Sequence, residues 1–115
     1  MARNFQKAQE LVVRGAGPHQ AGQFDKAEKF YKRALKIQSN NIDALHLLGL
    51  VSHQKGHNEY AAQLIGKAQL LSPHNSAINT NLAIVLNSLS RWPEAEQVAE
   101  TATKLAADNA EAWHH

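Results

Sequence analysis

Between Asn41 and Asn75 the apolar residues recur at helical spacing. Leu45, Leu48, Gly49 and Ser52 share one face of a first segment, and Ala61, Leu64, Ile65, Ala68 and Leu71 share one face of a second. Recurrence at i, i+3, i+4 and i+7 marks an amphipathic helix packed along one side. Asn41 offers a short polar side chain suited to capping the first helix. Lys55-Gly56 closes that helix, because glycine takes the left-handed backbone geometry without penalty. The second helix starts after Asn58 and stops at Ser72-Pro73, where proline has no backbone N–H to donate. The stretch from Ile42 to Asn75 therefore predicts a helical hairpin. One hairpin of this length cannot bury its apolar face alone, so it requires similar units beside it.

The neighbouring sequence supplies them. Stepping by about 34 residues, the period of a helix-turn-helix repeat, Ala27, Ala61 and Ala95 coincide, as do Ala34, Ala68 and Ala102. Gly15, Gly49 and Ala83 form a third set, and Gly22, Gly56 and Ser90 a fourth. Small residues at fixed points let two helices cross closely; a larger side chain there costs about 1–3 kcal/mol. Leu48 and Leu82 share a large slot, while Tyr31 and Ile65 share another that holds Ala99 in the third copy. The reading is an all-α domain of helix-turn-helix repeats over 8–41, 42–75 and 76–109. Ala110 to Trp113 reads as the start of a truncated fourth copy, and His114-His115 as a tag remnant. The third copy opens its second helix with Trp92-Pro93-Glu94, where proline in the first turn loses no bond. The first copy is irregular. Gly15, Gly17 and Pro18 fall inside its first helix, which predicts a kink or early end between Arg14 and Pro18.

This spacing of Leu48-Gly49, Ala61, Ala68 and Pro73, repeated through most of the chain, resembles the tetratricopeptide repeat family. Position four departs from the family, with Leu11, Leu45 and Asn79 where tryptophan is usual. The resemblance implies a right-handed superhelical solenoid of three units, with the start of a further helix pair. It also implies a protein-protein interaction scaffold that binds a peptide segment on its concave face. Carried over by register, the groove residues are His46, Leu47, Leu50, His53 and Gln54 in the middle copy, and Thr80, Asn81, Ile84 and Asn87 in the third. Members that clamp acidic chaperone tails carry Lys, Arg and Asn on this face. The matching positions here hold Gln9, Val13, Leu47 and Ala77, so an acidic tail is not the expected ligand. Asn81 matches an asparagine that the arrays of O-linked N-acetylglucosaminyltransferases use on a peptide backbone, and Ala44 to Gln54 with Ala83 to Leu86 resembles bacterial proteins of that kind. The alternative function is thus a substrate-recruiting region of a larger enzyme such as a glycosyltransferase.

Composition adds exclusions. The 115 residues contain no cysteine, so thiolate chemistry and disulfides are absent. No apolar run approaches the roughly 20 residues of a spanning helix, and the first ten residues are too polar for a signal peptide; a cytoplasmic location is expected, with no membrane partner. The Lys and Arg of Phe24 to Ile37 read as a solvated outer face lacking aromatics to stack bases, so no nucleic acid partner is expected. Acidic residues gather in the last copy, and the opposite charge of the two ends leads to an expectation of self-association, through the ends or the weakened first helix. His46 and His53 lie seven residues apart, and Gly56 separates them from His57. Zinc pairs on one helix sit three or four apart, so no metal is expected. There is no nucleophile elbow or phosphate loop; neither an enzyme activity nor a cofactor is expected.

Overall fold

The computed structural model describes the backbone of residues 2–114 and the side chains of residues 2–108. The helices are α1 (Ala2–Gln20), α2 (Phe24–Ile37), α3 (Ile42–Gln54), α4 (Asn58–Leu71), α5 (Ser76–Ser88) and α6 (Trp92–His114). The described residues contain no strand. Capping follows the sequence closely. The Asn41 side chain accepts from the Ala44 amide at 2.8 Å, and Asn75 repeats the bond with Ile78 at 3.0 Å. Gly22 and Gly56 take positive φ of 77° and 87°, and Ser90 takes the same turn at 60° without a glycine.

Each odd helix packs on the next even one to form a hairpin, and α2–α3 and α4–α5 contacts join the hairpins. The odd helices also touch in series, α1 to α3 and α3 to α5, whereas α2 and α4, or α4 and α6, do not. An inner layer closer-set than the outer one curves the stack, with α1, α3 and α5 lining the concave side.

The hairpin interiors are built from matched pairs. A Cβ on Gly15 would stand 2.5 Å from the Tyr31 ring, and one on Gly49 would meet Ile65 Cγ1 and lie 3.1 Å from its Cδ1. The third hairpin lacks such a pair: Ala83 is buried, Ala99 is exposed, and both line one hollow. Ala27, Ala34, Ala61, Ala68, Ala95 and Ala102 are all buried, as their register requires.

Three details differ from expectation. First, α1 does not end at Arg14 to Pro18 but runs to Gln20 with Pro18 inside it. Pro18 lies in the last turn, so only the bond to Arg14 is forfeited, and the end closes around Gly22 with Gln23 N–H donating to the Pro18 carbonyl at 2.8 Å. Second, no turn follows Asp108-Asn109, because α6 continues to His114. After Pro93 the chain holds no glycine or proline, and its many alanines favour winding. The side chains of the fourth copy expected at 110–113 and of the tag remnant at 114–115 lie outside the described residues. Third, Asn79 at position four is wholly buried. Its Nδ2 donates to the Pro73 and Asn75 carbonyls at 3.1 and 2.8 Å, and its Oδ1 accepts from Gln69 at 2.8 Å. An amide thereby ties α5 to the end of α4 where an indole would have packed.

Candidate functional site

The inner layer brings side chains about one repeat apart within bonding distance. Gln9 Nε2 donates to Asp43 Oδ2 at 3.1 Å, linking α1 to α3. At the other end of the same pair of helices, His19 Nε2 bonds Gln54 Oε1 at 2.8 Å, and His19 Nδ1 bonds the Tyr31 hydroxyl at 3.0 Å. An amide oxygen can only accept, so the neutral ring carries its proton on Nε2 and takes the Tyr31 proton at Nδ1. Between α3 and α5, Asn81 Nδ2 lies 2.8 Å from His46 Nε2. The amide nitrogen must donate, so His46 is neutral with its proton on Nδ1. Burial holds the His46 pKa below the ordinary histidine value against the smaller opposing pull of the Asp43 carboxylate.

These bonds sort the groove residues of the sequence. His46, Asn81 and Gln54 are members of cross-helix pairs. His53 turns toward the hairpin loop instead, with Nδ1 2.7 Å from Asn58 Oδ1. Thr80 is exposed and spends its hydroxyl on the Ser76 carbonyl at 2.8 Å. Leu47 and Leu50 are half-buried, Asn87 is exposed, and Ile84 is 50 % exposed. Ile84 and Asn87 border a hollow of about 430 Å³ whose far wall is Trp92, itself 62 % exposed. Trp92 was not legible as a site residue. The one available hint was its register partners, Phe24 and Asn58, which show that no fixed core slot exists there.

Charge is sparse on this surface. Helix α5 carries no ionisable residue, and Asp43 is the only Asp, Glu, Lys or Arg on α3. Among the described residues no group of three His, Cys, Asp or Glu side chains converges to hold a metal, and no helix is long and apolar enough to cross a membrane.

A family model described as TPR repeat matches residues 19–56, which span α2 and α3. The whole fold superimposes on tetratricopeptide-repeat structures, among them the second TPR of Spaghetti (RPAP3) bound to the HSP90 peptide SRMEEVD. That match has a TM-score of 0.85 and 23% identity over 90% of this chain and 95% of that one. The chain has the tetratricopeptide-repeat fold, and the family's model matches it over residues 19–56. A Thermobaculum terrenum O-GlcNAc transferase mutant aligns with 94% of this chain at 27% identity and a TM-score of 0.87, over 21% of its own length. The Yersinia enterocolitica type III secretion translocator chaperone SycD, in an alternative dimer, aligns at 17% identity and a TM-score of 0.83 over 92% of this chain and 80% of that chain. A comparison with curated proteins gave no match.

Proposed function

We propose that this tetratricopeptide-repeat domain is a protein-interaction scaffold whose inner layer holds a peptide segment through hydrophobic anchors. The observation that carries the reading is the state of the groove's polar groups. Gln9, Asp43, His46, Asn81, His19 and Gln54 are already bonded in pairs, while Leu50 and Ile84 between them keep apolar surface open. A ligand therefore gains most by covering that surface, at about 25 cal/mol per Å² of apolar area removed from water. The near absence of fixed charge on α3 and α5 favours an uncharged, apolar segment over an acidic one. Asn81 retains its Oδ1 as an acceptor for one backbone N–H of the ligand. The test replaces Leu50→Ala and Asn81→Ala together and measures partner capture alongside circular dichroism. Capture is lost with helicity unchanged; a double variant that captures as the wild type does would overturn the proposal.

A second reading rests on the 27% identity to the O-GlcNAc transferase structure, of which this chain aligns with 21%. In it the repeats recruit protein substrates to a glycosyltransferase. Sequencing the gene around this coding segment decides: a fused or adjacent glycosyltransferase supports it, and its absence leaves the free scaffold.

A further inference from the structure

The hollow beside Ile84 has a counterpart at the first hairpin. Two periods earlier, Asn87, Trp92 and Ala99 are His19, Phe24 and Tyr31, and Glu96 is Glu28. There the rings meet edge-on, with His19 5.9 Å from Tyr31 and 6.1 Å from Phe24 between centroids. Glu28 receives a cation from the following hairpin. Lys55, just past the end of α3, donates to Glu28 Oε2 at 3.1 Å and to Asp25 Oδ1 at 2.6 Å, and it lines one hollow with Phe24.

The middle hairpin has the apolar version of this contact. Ala62 stands for Glu28 and Leu89 for Lys55, and Leu89 packs against the core to which buried Ala62 belongs. A carboxylate at this position is met by a lysine of the next hairpin, and a methyl goes with a leucine.

The third hairpin returns to the carboxylate. Glu96 is exposed and forms no ion pair among the described residues, whereas Glu94 is held by Arg91 at 2.8 Å. Trp92 keeps the aromatic wall and is exposed, and Ala99 in place of the Tyr31 ring leaves the hollow of about 430 Å³ open.

We propose that this hollow takes a basic side chain, a lysine or arginine of the partner segment. The stem lies along Ala95 and Ala99, and the cation sits between the Trp92 ring and the Glu96 carboxylate. Ile84 and Asn87 belong to the concave groove and to this hollow alike, so a segment covering Leu50 and Ile84 reaches Glu96 without a break. A second copy stacked by its α1 would bring Ala21 to the place of Lys55, one period on, so the cation comes from another protein. The inference rests on the scaffold reading and adds one positive charge to a segment that α3 and α5 favour as apolar.

The experiment selects peptides from a random displayed library against the wild-type chain and against a double variant, Trp92→Leu with Glu96→Gln. Both positions are exposed, so the fold is retained. Peptides selected on the wild type carry a lysine or arginine at a fixed distance from their apolar residues and shift the Trp92 indole N–H resonance; those selected on the double variant carry no fixed basic residue. Norleucine in place of that residue weakens binding to the wild type about three- to thirtyfold, the span of an exposed ion pair plus a cation–π contact. The same exchange costs nothing on the double variant. Wild-type peptides with apolar residues but no fixed basic one, or a norleucine penalty of equal size on the double variant, would overturn this inference and leave the scaffold reading in place. Peptides that bind without shifting the Leu50 and Ile84 methyls would remove that reading as well.

Discussion

Gly49 and Gly66 are both interior helical glycines, and the same substitution at each has opposite expected signs. Removing a glycine from a helix interior stabilises by about 1 kcal/mol, because the unfolded chain loses conformational freedom and the helix gains a better former. At Gly66 nothing opposes that gain, since the added methyl meets no atom within 4 Å. At Gly49 the methyl would press on Ile65 Cγ1, with Ile65 Cδ1 at 3.1 Å and the Ala61 carbonyl oxygen at 3.3 Å. Ile65 is β-branched and fully buried, so the struck carbon is a stiff part of the side chain and α3 must shift away from α4. Overpacking of this kind costs about 1–3 kcal/mol. The net effect of Gly49→Ala is a loss of about 0–2 kcal/mol, against a gain of about 1 kcal/mol for Gly66→Ala. For a domain of this size each kcal/mol moves the melting temperature by roughly 3–6 °C. Thermal melts followed at 222 nm read the difference directly, and urea titration gives it as a shift in midpoint with m unchanged. If Gly49→Ala stabilises as much as Gly66→Ala, the close crossing at Gly49 is not what holds the hairpin, and the matched-pair account of the core fails.

Other expectations follow from single sites. Asn79→Leu keeps the branched shape but leaves the Pro73 carbonyl and the Gln69 amide without their side-chain partner, and the Asn75 carbonyl with only the backbone N–H of residue 79; it should cost about 1–3 kcal/mol in urea denaturation, and a neutral result would show that the buried amide is dispensable. For His46, whose pKa is lowered by burial, the unfolded state takes up its proton at the higher pH. Its contribution is therefore intact above about pH 6.5 and lost as pH falls toward the lower folded-state pKa. Stability should decline over that window in the wild type, and Gln in place of His46 should flatten the decline. Amide exchange should be faster from Gly15 to Gln20 than from Leu45 to Val51, because Pro18 leaves the Arg14 carbonyl without its helical donor and Gly17 adds backbone freedom. Equal protection in the two segments would show that the proline is fully absorbed.

The hairpins were legible because local and global signals coincide in them. Asn41 caps, Gly56 turns and Ala61 crosses closely, each for a reason confined to its own backbone or its nearest helix. The cross-helix bonds that the sequence hid depend on side chains about a repeat apart. Nothing in the spacing of His46 and Asn81 says that the two will bond, since that requires the separation of α3 from α5, a property of the stack. His53 shows a local limit. Its register places it toward the groove, yet Asn58, at the start of α4, takes its Nδ1. The end of α1 shows that a proline's cost depends on its distance from the helix terminus. The run of α6 beyond Asn109 shows that a turn needs a residue to stop the helix as well as a match to the period.

The central claim is that the concave layer takes a peptide by its apolar side chains. It is tested most directly by methyl and amide chemical-shift mapping with a peptide selected by display against the folded 115-residue chain. The account predicts that Leu47, Leu50 and Ile84 methyls and the Asn81 side-chain amide shift together and saturate at one Kd. Shifts confined to α2, α4 and α6, with those four groups unmoved at saturation, would contradict it.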